Sequence, residues 1–443
     1  MSHTIDYLIE YRQVFDGEQP TVSDLLQGIS RSMLLKTASF FLGFANIGSK
    51  FAHYKDFLEM FFAAENSDMA NDIFEKVRAI EEKDQRGITF VSPQSILQLF
   101  EFAFNNLDDS NTQSSQEIEV SVFKAIVLLN QVNNQKQEEG MAGVKDEDDT
   151  IKLPALSIAM SYPNSEFINY EIAEVLLGQF VRAIYLFEFL EENEHTKVLL
   201  SSFLDAFECE DWREYLKTIF SIALVAVNKE NEGVIDISIT ANEHFEKTCS
   251  FIDKLILSQE ELMEEGYDFR SIRSSPLYRI EKGIYRVVYP LFLIELIFKG
   301  LYFKLREIHD GLPKGDKVPG SNFRSFYCDY FSEQALLYKT LQAIYGRRNY
   351  IQQSGAEIKA QFHIDAEPDY YIRNGNYVFL FESKDILING SIKETFDYTM
   401  YREEFSKKLY YETAKNGSIE KKAVLQLVNN IERLLKQELP KRL

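Results

Sequence analysis

Asp369, Glu382 and Lys384 are the residues of this chain whose types and spacing suit chemistry. They lie in one segment, Glu367-Pro-Asp-Tyr-Tyr-Ile-Arg-Asn-Gly-Asn-Tyr-Val-Phe-Leu-Phe-Glu-Ser-Lys384. Asn374-Gly375, set between alternating β-branched and aromatic residues, predicts a two-stranded hairpin. With Asn374-Gly375 as the central turn residues, Asp369 is the diagonal neighbour of Glu382. With Gly375-Asn376 there, it stands directly opposite. Strand side chains alternate, so both registers put Asp369, Glu382 and Lys384 on one face. Carboxylates opposed this closely repel, by up to ~1 kcal/mol, and a divalent cation removes that penalty. Oxygen ligands suit Mg²⁺ or Mn²⁺. A metal-bound water becomes a nucleophile, and Lys384 can position it or stabilise charge on a phosphoryl oxygen.

The elements that must position these groups follow from periodicity. A helix is expected from about Asp329 to Tyr345, with Glu333 on the same side as Leu337, Leu341 and Ile344. An acid on such an apolar stripe is a third candidate metal ligand, although the helix dipole also favours Glu near a helix start. Glu357 to Ile364 alternates as a strand does, and helices are expected around 394–413 and 419–438. Upstream, 3–4 spacing of apolar residues predicts helices through most of 21–132 and 164–304, with a strand or extended lead at Val234–Ile239. The expected layout is a helical domain over 1–136, an acidic linker over 137–152, a second helical domain over 153–308, a Gly/Pro-rich linker over 309–322 and a C-terminal α/β domain over 323–443.

Composition narrows the function classes. The 443 residues carry a net charge of −21, but unevenly: residues 320–443 hold 18 Lys+Arg against 16 Asp+Glu, and the rest holds 30 against 53. The acidic body repels phosphate backbones, whereas the near-neutral C-terminal part can approach them. Cys209, Cys249 and Cys328 form no CxxC pair, so a reducing cytoplasm is expected, and the six histidines show no zinc spacing. The most apolar stretch, Ile284 to Lys304, is broken by Arg286, Glu295 and Lys299. A buried helix is expected there, and no membrane span. Trp212 is read as a partly buried packing residue, and His363 as an ordinary residue of the strand before Asp369 and not a catalytic base.

The C-terminal segment resembles the PD-(D/E)xK nuclease superfamily, the restriction-endonuclease-like fold, over about residues 325–440. Pro368-Asp369 is similar to the PD element and Glu382-Ser383-Lys384 to the E-x-K element. Glu333 matches the acid that many members carry on the preceding helix. Gln426, with Lys422 one turn earlier, matches the polar position on the following helix. The resemblance implies a restriction-endonuclease-like domain with a small mixed sheet, which, with the helical body that periodicity predicts upstream, makes a mainly α protein. It implies a Mg²⁺-dependent phosphodiesterase in which Asp369 and Glu382 hold metal, Lys384 serves the attacking water and Glu333 is an auxiliary ligand. Gln426 and Lys422 support the site or touch phosphate. The substrate expected is DNA, with RNA as the alternative. Lys407, Lys408 and Lys415 on the basic C-terminal helices are candidate backbone contacts; Tyr410 and Tyr411 beside them are read as core packing, with stacking on bases as the alternative. The helical body is then a sensor, regulator or assembly platform, engaging a protein partner or a second copy, as in prokaryotic restriction or phage-defence effectors. The competing reading is a non-catalytic interaction protein with a degenerate nuclease-like domain. The family core continues with a further strand after the Gln426 helix, whereas this sequence stops at Leu443. The resemblance implies that such a strand comes from elsewhere in the chain, from a partner subunit or from sequence not included here.

Overall fold

The computed structural model describes residues 7–44, 53–84, 87–106, 108, 110–167, 170–228, 233–258, 267–363, 367–413 and 417–436. Its architecture is mainly helical, as expected. The strands are β1 (Tyr7–Leu8), β2 (Ile88–Thr89), β3 (Asp236–Ser238), β4 (Leu277–Glu281), β5 (Ile284–Val287), β6 (Ile351–Ser354), β7 (Tyr370–Asn374), β8 (Tyr377–Phe381), β9 (Tyr411–Thr413) and β10 (Ile419–Lys421). They form four small sheets. No helix among the described residues is long and apolar enough to cross a membrane.

The chain divides into two units that are discontinuous in sequence. The first comprises 1–179, 213–300 and 393–397; the second comprises 180–212, 301–392 and 398–443. The first unit has an aromatic-rich core in which Phe57, Phe90, Phe100 and Phe123 are fully buried. A polar hub crosses it: the Asn130 amide donates to the carbonyls of Ile9 (3.0 Å) and Phe90 (2.8 Å), and accepts from the Ser95 hydroxyl (2.6 Å). Residues 137–152 are largely helical. The Ser115–Gly140 helix runs into a 3₁₀ turn, Ala142–Asp146, and Asp148 caps the next helix, Asp149–Ser161. The buried helix expected over 284–304 starts later. Ile284–Val287 pairs as β5 with β3 and β4, because Gly283, at φ +83, closes a hairpin, and Pro290 opens the helix.

A partly buried charge network also lies in the first unit. The Arg273 guanidinium meets Glu166 (2.8 Å), Asp268 (3.2 Å) and Glu295 (3.3 Å), and its face stacks on the Phe292 ring at 4.4 Å. Lys393 adds contacts to Asp268 (2.9 Å) and Glu166 (3.5 Å). Burial alone would raise the pKa of the Glu166 carboxyl, but the charges of Arg273 and Lys393 outweigh it and hold the pKa low.

In the second unit β6, β7 and β8 form a three-stranded sheet in that order. It is antiparallel throughout, where a mixed sheet was expected: the hairpin turn makes β7 and β8 antiparallel, and β6 also runs antiparallel to β7. Tyr370 and Ile372 of β7 pack on Leu341, with Tyr338 and Phe381 beside them. The strand expected over 357–364 is a helix, Gly355–Phe362. Ser354 and Glu357 form a capping box, with the Ser354 N–H donating to the Glu357 carboxylate at 2.8 Å, and this fixes a helix start where alternation suggested a strand. The strand role passes to Ile351–Ser354 just before it. The helix expected from about Asp329 to Tyr345 forms but starts earlier, at Phe323, and Tyr327–Leu337 winds as a π-helix. Its wider turns shift the phase of Glu333 relative to Leu341, and Ile344 is exposed rather than on the buried stripe.

Candidate active site

The hairpin adopts the second of the two registers. Asn374 pairs with Tyr377 and Tyr370 with Phe381, leaving Gly375-Asn376 at the turn with Gly375 at φ +61. A positive φ at the first central position is what a hairpin turn with leading glycine requires. Continuing the ladder by one residue puts Asp369 directly opposite Glu382, at the base of the hairpin. Asp369 Oδ2 accepts the Ser383 N–H at 2.6 Å, and Glu382 Oε1 takes the Lys384 ammonium at 2.7 Å. Asp369 is buried, the Glu382 side chain is 3% exposed, and Glu382 Oε2 is buried with no hydrogen-bond partner.

The electrostatics tie Glu333 to this pair. Burial, reinforced by the Asp369 charge and opposed by Lys384, raises the pKa of Glu333 to about 7. Burial also raises Asp369, against the Ser383 N–H and Lys384, and raises Glu382, against its bond to Lys384. Each of the three acids thus holds its proton more tightly than in water, with Lys384 opposing the shift in all three. For Glu333 the sign is clear. Its folded pKa lies above the unfolded value, so its contribution to stability is full below pH ~4.5 and is lost as pH rises through 7. In EDTA, Glu333→Gln is expected to raise the Tm at pH 8 by on the order of 1–3 °C, with no rise at pH 4. Paired thermal melts of variant and wild type at the two pH values check this; a rise of equal size at both would refute it.

Two neighbours that sequence reasoning missed hold the strand exit. Arg324 meets Asp385 at 2.9 Å, and the Ser332 hydroxyl donates to the other Asp385 oxygen at 2.9 Å. These bonds tie the residue after Lys384 to the helix that carries Glu333. An acid directly following Glu-x-Lys was the available signal. Gly355 is a second such residue. Its N–H donates to the Asp369 carbonyl at 2.8 Å, and a Cβ there would lie 2.8 Å from the Pro368 carbonyl oxygen. Gly355→Ala must therefore displace the backbone at Asp369. Since ~1 Å misplacements can cost about 100-fold in rate, any cleavage of the kind proposed below is expected to fall at least ~10-fold in this variant. Unchanged activity would show that the Pro368–Asp369 backbone is free to adjust.

The helix expected to carry Gln426 spans Ala423–Leu435, with Lys422 at its N-cap. Lys384, Glu420, Lys421, Lys422, Gln426 and Asn429 line one cavity of about 530 Å³. The structure thus gathers Lys384, Lys422 and Gln426, and the hairpin β9–β10 delivers Glu420 and Lys421 to the same cavity. Gln426 Oε1 is buried without a partner, whereas Lys422 is engaged by Glu420 (3.1 Å) and Glu412 (3.2 Å). Lys407 and Lys408 are exposed on the last turn of the Tyr398–Leu409 helix, Lys408 being 3.8 Å from Glu404; Lys415 lies outside the described residues. Trp212 packs as expected, buried and stacked on Phe187 at 5.6 Å.

Among the described residues no three His, Cys, Asp or Glu side chains are gathered closely enough to hold a metal ion, and Asp369, Glu382 and Glu333 form no such set. The Lys384 ammonium and the Ser383 N–H each hold one carboxylate oxygen. The donors nonetheless fit an oxygen-preferring divalent cation on two counts. Mg²⁺ commonly takes only one or two carboxylates together with substrate phosphates, and Glu382 Oε2 is a buried oxygen with no other partner. No family model, curated protein or solved structure matches the chain, so the chemistry of this site is argued from its geometry.

Proposed function

We propose that the base of the β7–β8 hairpin is the active site of a Mg²⁺- or Mn²⁺-dependent nuclease that hydrolyses phosphodiester bonds, in DNA before RNA. The observation that carries this reading is the Asp369–Glu382 pair at the base of the hairpin, with Lys384 on one Glu382 oxygen and the other oxygen buried without a hydrogen-bond partner. Excess buried negative charge of this kind is relieved by a divalent cation. Asp369 and Glu382 would hold the cation, which when bound acidifies water and polarises a phosphoryl oxygen. Lys384 presents its ammonium beside Glu382, where it stabilises negative charge developing on the phosphoryl group. Glu333, with its pKa near neutrality, can take up or release a proton at working pH. Lys421 and Lys422, across the cavity from Lys384, suit a phosphate backbone.

The test is cleavage of plasmid, linear single-stranded DNA and RNA by the full chain, with Mg²⁺, Mn²⁺ or EDTA. Divalent-dependent cleavage is expected, and strand scission that survives EDTA would refute the metal-dependent reading. If no nucleic acid is cut under any condition, the competing interaction-protein reading gains.

A further inference from the structure

The outer edge of β8 is unpaired among the described residues, because β8 hydrogen-bonds only to β7. The two-residue turn makes Asn374–Tyr377 a hydrogen-bonded pair, and the ladder then alternates. Tyr377, Phe379 and Phe381 direct their backbone groups to β7, while Val378 and Leu380 direct theirs outward. Edge strands are normally guarded by charge, proline or a bulge. β8 has none of these: its five residues are all apolar or aromatic, and its register with β7 is regular. Tyr377 is 72% and Phe379 49% exposed at this edge. The opposite edge, β6, is shorter, carries Gln352 and Gln353, and turns at once into the capped Gly355 helix.

We infer that this edge pairs with β8 of a second copy of the chain, antiparallel about a two-fold axis at Phe379, joining two three-stranded sheets into one. The register is fixed by the backbone. Val378 of one copy would exchange both backbone hydrogen bonds with Leu380 of the other, and Phe379 would face its own counterpart in the closer, non-hydrogen-bonded position. Both phenylalanines then lie on the sheet face that carries Ile372, so each gains an aromatic cross-strand neighbour where it now meets solvent. The charges agree with a second copy as the occupant. In this register Glu382 lies opposite Asn376 and Lys384 opposite Asn374, so no like charges meet. The pairing is isologous and closes after two copies. It uses the near-neutral part of the sequence and not the acidic body, whose repulsion would oppose association. The inference does not depend on the nuclease reading, because oligomeric state and cleavage are measured separately.

The test is sedimentation velocity of the full chain over roughly 1–100 µM. Wild type is expected to reach twice the monomer mass. Val378→Pro removes only an outward N–H, and Phe379→Lys places like charges at the axis. Each is expected to raise the midpoint concentration for association about tenfold or more while circular dichroism and the melting profile stay close to wild type. Phe379→Cys provides a positive readout independent of stability. Across the axis the two Cα atoms would stand about 4.5 Å apart, within disulfide range. Mild oxidation should yield a covalent dimer absent from wild type, whose own cysteines supply the background. A monomer at every concentration overturns the inference. If its Val378 and Leu380 amides resist hydrogen exchange, another segment of the chain covers the edge; if they exchange freely, the edge is left open. A dimer insensitive to Val378→Pro and Phe379→Lys, or Phe379→Cys copies that fail to cross-link, overturns it equally.

Discussion

Lys384→Ala and Asp369→Ala are each expected to lower divalent-dependent cleavage at least ~100-fold, the scale on which removal of one transition-state stabilising group registers. The two should differ in metal dependence. Asp369→Ala removes a proposed cation ligand, so extra Mn²⁺ should restore part of its activity. Lys384→Ala leaves the carboxylates in place and removes the charge proposed to stabilise the phosphoryl oxygen, so no metal concentration should rescue it. The loss of Lys384 also strips Glu382 Oε1 of its 2.7 Å partner, leaving both oxygens of a buried carboxylate bare. Lys83→Ala is the control. It closes another Glu-x-Lys, Glu81-Glu82-Lys83, on an exposed helix face, and its removal should change nothing. Circular dichroism and melts confirm folding. Cleavage retained by both site variants would mean that the activity resides elsewhere.

Arg273→Ala is expected to cost stability on the scale of ~1–3 kcal/mol, because it takes the central cation from the partly buried Asp268 and Glu295 and from the more exposed Glu166, leaving them to Lys393 and Lys299. The Tm should fall by roughly 2–5 °C. The loss depends on pH with a definite sign. Glu166 has its pKa held below the usual carboxylate value, so its contribution is present above pH ~4.5 and fades as pH falls through its folded pKa. The gap between variant and wild type should therefore narrow from pH 7 to pH 4. Thermal melts across that range measure it; a gap independent of pH would mean that lost packing on Phe292, and not charge, dominates.

How much of this could be read from the residues varies by element. The hairpin and the shared face of Asp369, Glu382 and Lys384 were legible because strand alternation gives the same answer in either register. Which register forms was not, since Asn-Gly and Gly-Asn are both acceptable turn pairs and the choice falls to the backbone of Gly375. The strand expected at 357–364 failed for a local reason: Ser354-x-x-Glu357 is a capping box, and it overrides alternation. Strand β5 was hidden at the start of an apolar stretch long enough to read as helix. The approach of Gln426 to Lys384 was expected only from the resemblance, and hairpin β9–β10, which shapes the cavity between them, was not foreseen. The Arg273 network joins positions 166, 268, 273, 295 and 393, pairings that no periodicity encodes.

The interleaving of the two units bears on how this protein can be divided or recombined. Residues 180–212 belong with the hairpin unit: Phe189 packs on Phe326 and Phe331 at 6.0 and 5.6 Å, and Glu188 meets Lys339 at 3.1 Å. A gene segment starting at residue 323 would encode every proposed catalytic side chain and still omit the wall against which their supporting helix is packed. The hairpin unit is therefore not an exchangeable cassette. Recombination that moves it intact must carry sequence from more than a hundred residues upstream, which ties its inheritance to that of the helical body.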